Sequence, residues 1–160
     1  MSARDRLGEC VERLGRRLGM PALALDANGI CAIDVEGRLL LHLFADPGAE
    51  TAVLYIPLGP LPGDGEAAMH RSMLEANARD GLPGALAIDP RTGEAMLVRY
   101  DPIELDDAAF ERLLERMIAA GLAWTERLAR GIDTAPAEGV AGGGFPIGAA
   151  CAFRGGEAWR

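Results

Sequence analysis

The stretch ICAIDVEGRLLLHLFADPGAETAVLYIPL, residues 30–58, decides the fold. It holds three apolar runs, over 30–35, 38–44 and 51–58, each short for a helix and rich in Ile, Val and Leu. Glu36-Gly37 separates the first two, and two turn-type residues between apolar runs specify a tight antiparallel hairpin. Asp46, Pro47 and Gly48 make a looser turn into the third run, so the three predict an antiparallel meander. In the middle run Leu39, Leu41 and Leu43 share one face, while Leu40 and Phe44 flank His42 on the other. Both faces are mostly apolar. Such a strand is either sandwiched or has a second face awaiting a partner.

Upstream, the spacing predicts a helix over 3–18. Leu7, Cys10, Val11, Leu14 and Leu18 recur at three- and four-residue steps and form one apolar stripe, with arginines opposite. Gly19-Met20-Pro21 stops it, and Asp26-Ala27-Asn28-Gly29 is a turn. Downstream, a breaker-rich loop over 59–63 leads to Asp64, the expected cap of a second helix over 65–78, with Met69, Met73 and Leu74 on its apolar side. Two short strands follow over 85–88 and 95–100, joined by Asp89-Pro90-Arg91-Thr92-Gly93. Asp106 or Asp107 then caps a third helix over 108–129, whose broad apolar face holds Phe110, Leu113, Leu114, Met117, Leu122, Trp124 and Leu128. The order α-β-β-β-α-β-β-α, with no βαβ repeat, predicts an α+β two-layer domain of an antiparallel twisted sheet and three helices.

From Gly131 the pattern fails, and eight of the last thirty residues are glycine. The expected organisation is one domain over 1–130 and a flexible Gly/Ala-rich tail over 131–160, in which Phe145-Pro146-Ile147 and Trp159 are candidate docking residues.

The chain has 160 residues, 49% of them hydrophobic and 25% charged, which suits one globular core. No run approaches the ~18 apolar residues of a membrane helix. The charged first seventeen residues do not resemble a secretory signal, so a cytoplasmic protein is expected, with no membrane partner. The net charge of −8 argues against a nucleic-acid partner, because phosphate binding needs a dense cationic face. Lysine is absent, and five of the sixteen arginines fall in residues 1–20, which carry a local net of +2. An acidic body keeps a partly hydrophobic protein soluble.

Candidate chemistry is sparse. Three cysteines at irregular spacing make neither a disulfide framework nor a metal knuckle, and Cys10 and Cys31 fall inside apolar patterns as small hydrophobes. His42 and His70 have no partner at ligand spacing. Ser72 lies mid-helix and not on a strained elbow. The glycine-rich segment over 59–65 lacks the Gly-Lys-Ser/Thr that would hold phosphates. No catalytic residue, metal site or cofactor is expected, and binding is a better reading than catalysis.

Several segments, in order, resemble the Tir-chaperone family, the homodimeric effector chaperones of type III secretion. They are LDANGICAID over 25–34, LYIPLGPLP over 54–62, MLEAN over 73–77, GALAIDPRTGEAMLVR over 84–99 and GLAWTERL over 121–128. The chain departs from the family at Ala78 and Arg79, where an apolar residue is usual after the asparagine, and in its longer tail. The resemblance implies a cytoplasmic chaperone that binds the extended N-terminal segment of one or a few secreted effector proteins and keeps them competent for secretion. It also implies a homodimer joined through the second helix and neighbouring strands. On that basis the effector groove is expected at Leu7, Val11, Leu14, Ile33, Val35, Leu39 and Leu41, and the dimer interface at Met69, Met73 and Leu74. Plain core packing is the competing reading of each. The alternative function is a non-enzymatic adaptor or regulatory subunit of a secretion or signalling machine.

Overall fold

The computed structural model describes residues 2–46, 48–103, 106–131 and, for the backbone, 151–153. Helix α1 spans Ala3–Arg17. The Ser2 hydroxyl accepts from the Asp5 amide at 3.2 Å, and the Ser2 amide donates to the Asp5 carboxylate at 2.9 Å, a reciprocal cap on the first turn. Arg16 and Arg17 lie in the last turn, where the helix dipole favours cations. After α1 the chain doubles back so tightly that a Cβ on Gly15 would stand 2.6 Å from the Met20 carbonyl oxygen.

Strand β1 (Ile30–Val35) and strand β2 (Leu39–Asp46) form the expected hairpin. Glu36 and Gly37 have φ of 55° and 69°, and the Arg38 amide donates to the Val35 carbonyl at 3.0 Å, as in a type I′ turn. The Asp34 carboxylate accepts from the Gly37 amide at 2.6 Å. Strand β3 (Thr51–Gly59) completes the meander. Helix α2 (Glu66–Asn77) leads to β4 (Ala85–Ile88), β5 (Ala95–Pro102) and helix α3 (Asp107–Arg130). Asp106 caps α3, its carboxylate accepting from the Ala109 amide at 2.9 Å. Asp64 does not cap α2. The cap position is Gly65, at φ 86°, and no side chain reaches the first turn, because the left-handed backbone there suits glycine.

The described part of the tail differs from the sequence expectation. Cys151–Phe153 is a strand, β6, antiparallel to β1, with Phe153 opposite Ile33, Ala152 opposite Asp34 and Cys151 opposite Val35. Phe145-Pro146-Ile147 and Trp159 lie outside the described residues. The sheet order is β4-β5-β3-β2-β1-β6, every neighbouring pair antiparallel.

Helices α1 and α3 cover one face of this sheet. Leu39, Leu41, Leu43, Leu54, Ile56 and Leu97 project into that layer and meet Leu7, Val11, Leu14, Leu114 and Met117, all fully or nearly fully buried. Gly121 sets how closely α3 sits: a Cβ there would be 2.7 Å from a Leu39 methyl and 3.1 Å from an Ile56 methyl. Arg13 with Asp107 at 3.1 Å and Arg17 with Glu111 at 2.8 Å tie α1 to α3 at the surface.

Helix α2 lies against β4 at the far edge. Met69 and Met73 anchor it in the core. At its last position Asn77 uses both ends of its amide on one residue of β4, accepting from the Leu86 amide at 2.8 Å and donating to the Leu86 carbonyl at 2.9 Å. Leu86 faces Leu97 of β5 in the register, so the two bonds hold its other flank.

Candidate functional site

The surfaces of this fold that can take a partner lie at the β1 edge, on the outer sheet face and on the exposed side of α2. The β1 edge carries backbone donors and acceptors directed away from β2, the arrangement to which an extended segment adds as a further strand. That β6 pairs there over three residues demonstrates the capacity.

The outer face holds Ile30, Ala32, Leu40, Phe44, Tyr55, Pro57, Met96 and Val98, all half-buried, and Tyr100, which is exposed. His42 and Val53 are buried among them. His42 stands opposite Tyr55 across β2 and β3, ring centroids 5.8 Å apart and tilted by 43°. Burial lowers the His42 pKa and keeps the ring neutral. The Tyr55 hydroxyl donates to Asp89 at 3.4 Å, and burial is the main reason its pKa is raised. Hydrogen bonds from Arg91 hold the Asp89 carboxyl below the usual range, through the Arg91 amide at 2.8 Å and its guanidinium at 3.2 Å.

One end of this face opens into a depression of about 730 Å³. Ile30, Phe44 and Tyr55 give it apolar walls, and Arg4, Glu50 and Arg91 supply charged groups. Arg4 is positioned by two backbone carbonyls of the turn before β1, Asp26 at 3.1 Å and Ala27 at 2.9 Å. Apolar walls with a few charged groups suit the side chains of a peptide.

The seven residues expected to line an effector groove are all interior. Leu7, Val11, Leu14, Ile33, Val35, Leu39 and Leu41 are each 6% exposed or less and belong to the continuous core between the sheet and its two helices. The structure therefore brings them together under the β1–β2 hairpin, with their side chains covered by the chain itself. Of the expected dimer residues, Met69 and Met73 are core, whereas Leu74 is 69% exposed on the free side of α2. The sequence reading missed both the depression and β6.

Among the described residues no group of His, Cys, Asp and Glu could hold a metal ion, and no helix is long and apolar enough to cross a membrane. Cys10 and Cys31 are buried free thiols, and burial pushes the Cys31 pKa up to about 12, so both act as packing groups.

The family model of the Tir chaperone protein (CesT) family matches residues 9–125, most of the chain from α1 into α3. The chain belongs to this family. Among solved structures, a chain of the HopA1–SchA chaperone–effector complex is similar at 19% identity with a TM-score of 0.66, over 78% of this chain and 96% of that one. A chain of the ExsC–ExsE complex gives 19% identity and a TM-score of 0.67 over 80% and 97%. A chain of the ExoT–SpcS complex from Pseudomonas aeruginosa gives 25% identity and a TM-score of 0.54 over 75% and 96%. At such identities the likeness establishes a shared fold, and the Tir chaperone family match carries the assignment. Comparison with curated proteins finds no match.

Proposed function

We propose that this member of the Tir chaperone family is a cytoplasmic type III secretion chaperone that binds extended segments of one or a few effector proteins as a homodimer. The observation that carries the reading is the β1 edge, which accepts an extended antiparallel segment through its backbone. A strand running in the direction of β6 passes from Val35 toward Ile30, and Ile30 lines the depression. A cargo segment longer than three residues therefore reaches a place for its next side chains. Main-chain pairing supplies sequence-tolerant affinity and the depression supplies selection.

In this reading Leu7, Val11, Leu14, Ile33, Val35, Leu39 and Leu41 act from beneath. They hold the β1–β2 hairpin rigid against α1 and α3, and cargo meets the outward backbone of β1 at Ala32 and Asp34, not these side chains. Leu74 is the proposed centre of the dimer contact, with Met69 and Met73 fixing the helix that presents it. The binding step needs no nucleotide and no covalent chemistry. It holds the cargo segment unfolded by completing the sheet.

The test is co-expression with proteins encoded beside the gene, followed by limited proteolysis and light scattering. The expected result is a complex of two chains, each of 16.9 kDa, protecting one long N-terminal stretch of the partner. A monomer that retains no such stretch would overturn the proposal. Protection of a folded partner surface would instead favour an adaptor role.

A further inference from the structure

We propose that the C-terminal segment is an internal occupant of the cargo edge: Cys151–Phe153 fills the β1 position that an effector strand takes, and cargo must displace it. The inference rests on the reading that cargo adds to β1. Its physical basis is the contrast between the two edges of the sheet.

At the β4 edge, closure is built into the body. Asn77 sits on a helix anchored by Met69 and Met73, and its two bonds to Leu86 form as soon as that helix docks. At the β1 edge, closure comes from a segment separated from the end of α3 by about twenty residues. Among the described residues, three pair there. A three-residue strand gains few backbone hydrogen bonds, and the cost of ordering it nearly cancels them. Such a strand covers the edge without locking it. A longer extended segment, which also pairs with Ala32 and fills the depression, outcompetes it.

The composition around the strand fits a reversible occupant. Cys151-Ala152-Phe153 is an apolar triplet with glycines on both sides, Gly148 before it and Gly155-Gly156 after it. Glycines near both ends of the triplet disfavour a long strand there. Tethering sets the local concentration of the segment at about 1 mM for a flexible connection. If the free segment binds the open edge with a dissociation constant of about 100 μM, the edge is closed roughly ten times as often as it is open. Binding of any competing segment then weakens about tenfold.

The experiment uses a fluorescein-labelled peptide of residues 148–157, GAACAFRGGE, with its cysteine replaced by serine, as a strand probe in trans. Three proteins are compared by fluorescence anisotropy: the full chain, the chain ending at Gly131, and the full chain carrying Ala152→Pro. Proline at the middle of β6 removes a donor and opposes pairing without shortening the chain. Far-UV circular dichroism confirms that all three fold, and the proline variant serves if the truncated chain does not.

The expected result is about tenfold tighter probe binding to the truncated and proline proteins than to the full chain. It is accompanied by faster hydrogen exchange at the Asp34 amide, which faces Ala152 of β6, in both variants. Equal affinity of the probe for all three proteins, or no binding to any, overturns the proposal. Either failure leaves the effector-binding reading standing if co-expressed effector segments still co-purify with the full chain. Loss of that co-purification would strike the functional reading itself.

Discussion

Replacing Asn77 tests the β4 edge directly. The parent side chain makes two hydrogen bonds to Leu86, at 2.8 and 2.9 Å, each contributing about 1 kcal/mol net. Asn77→Ala loses both and regains up to ~0.7 kcal/mol of helix propensity, muted at the last helical position. The expected net loss is about 1.5 kcal/mol, or a fall in Tm of about 5 °C. Asn77→Asp is more informative. Its carboxylate still accepts from the Leu86 amide but sets a negative oxygen against the Leu86 carbonyl, where the parent amide donated. The expected loss at pH 7 is about 2 kcal/mol. That carbonyl raises the folded-state pKa of the new carboxyl above its unfolded value. The deficit relative to the parent therefore shrinks as pH falls through the folded pKa, because a protonated carboxyl can donate again. Urea unfolding followed by circular dichroism, at one fixed protein concentration, measures both variants at pH 7 and pH 4.5. If both lie within ~0.3 kcal/mol of the parent at pH 7, the two bonds do not hold the edge and the account of this edge fails.

The exposed and buried residues of α2 should separate cleanly. Leu74→Asp is expected to leave the fold intact and convert the dimer to a monomer by light scattering, whereas Met69→Ala, at a site with no exposure, should cost about 2–5 kcal/mol of stability. A dimeric Leu74→Asp protein would refute the placement of the interface. Burial lowers the His42 pKa from 6.5, so its contribution to stability is full above that value and declines as pH falls through the folded pKa. His42→Leu should flatten the stability profile below pH 6.5, and an unchanged slope would show that another group sets it. Cys10 and Cys31 should resist an aromatic disulfide reagent in the native protein and react in urea, and native modification of Cys31 would contradict its burial.

The local pattern carried much of this architecture. The stripe of Leu7, Cys10, Val11 and Leu14 and the Glu36-Gly37 turn are read within a few residues of chain, and the elements follow them closely. The second-helix cap was misread because Asp64 has the right chemistry one residue early, while Gly65 takes the left-handed backbone that starts the helix. The side chains beneath the β1–β2 hairpin posed a different problem. Alternation identifies Ile33, Val35, Leu39 and Leu41 as one face, but what covers that face depends on α3, some eighty residues later. Gly121 brings α3 within contact of Leu39 and Ile56, a closeness no local period encodes. β6 lay beyond reach for a third reason. Three residues are too few to display a period of two, and their partner strand is more than a hundred residues away.

The closure of the two sheet edges by unlike means bears on how the protein behaves when crowded. Copy-on-copy growth into a ribbon requires a bare strand at each end of every unit. Here a newcomer would have to pull the Asn77 amide from Leu86 at one end and peel Cys151–Phe153 from Ile33 to Val35 at the other. The protein is thereby guarded against stacking into fibres with its own kind.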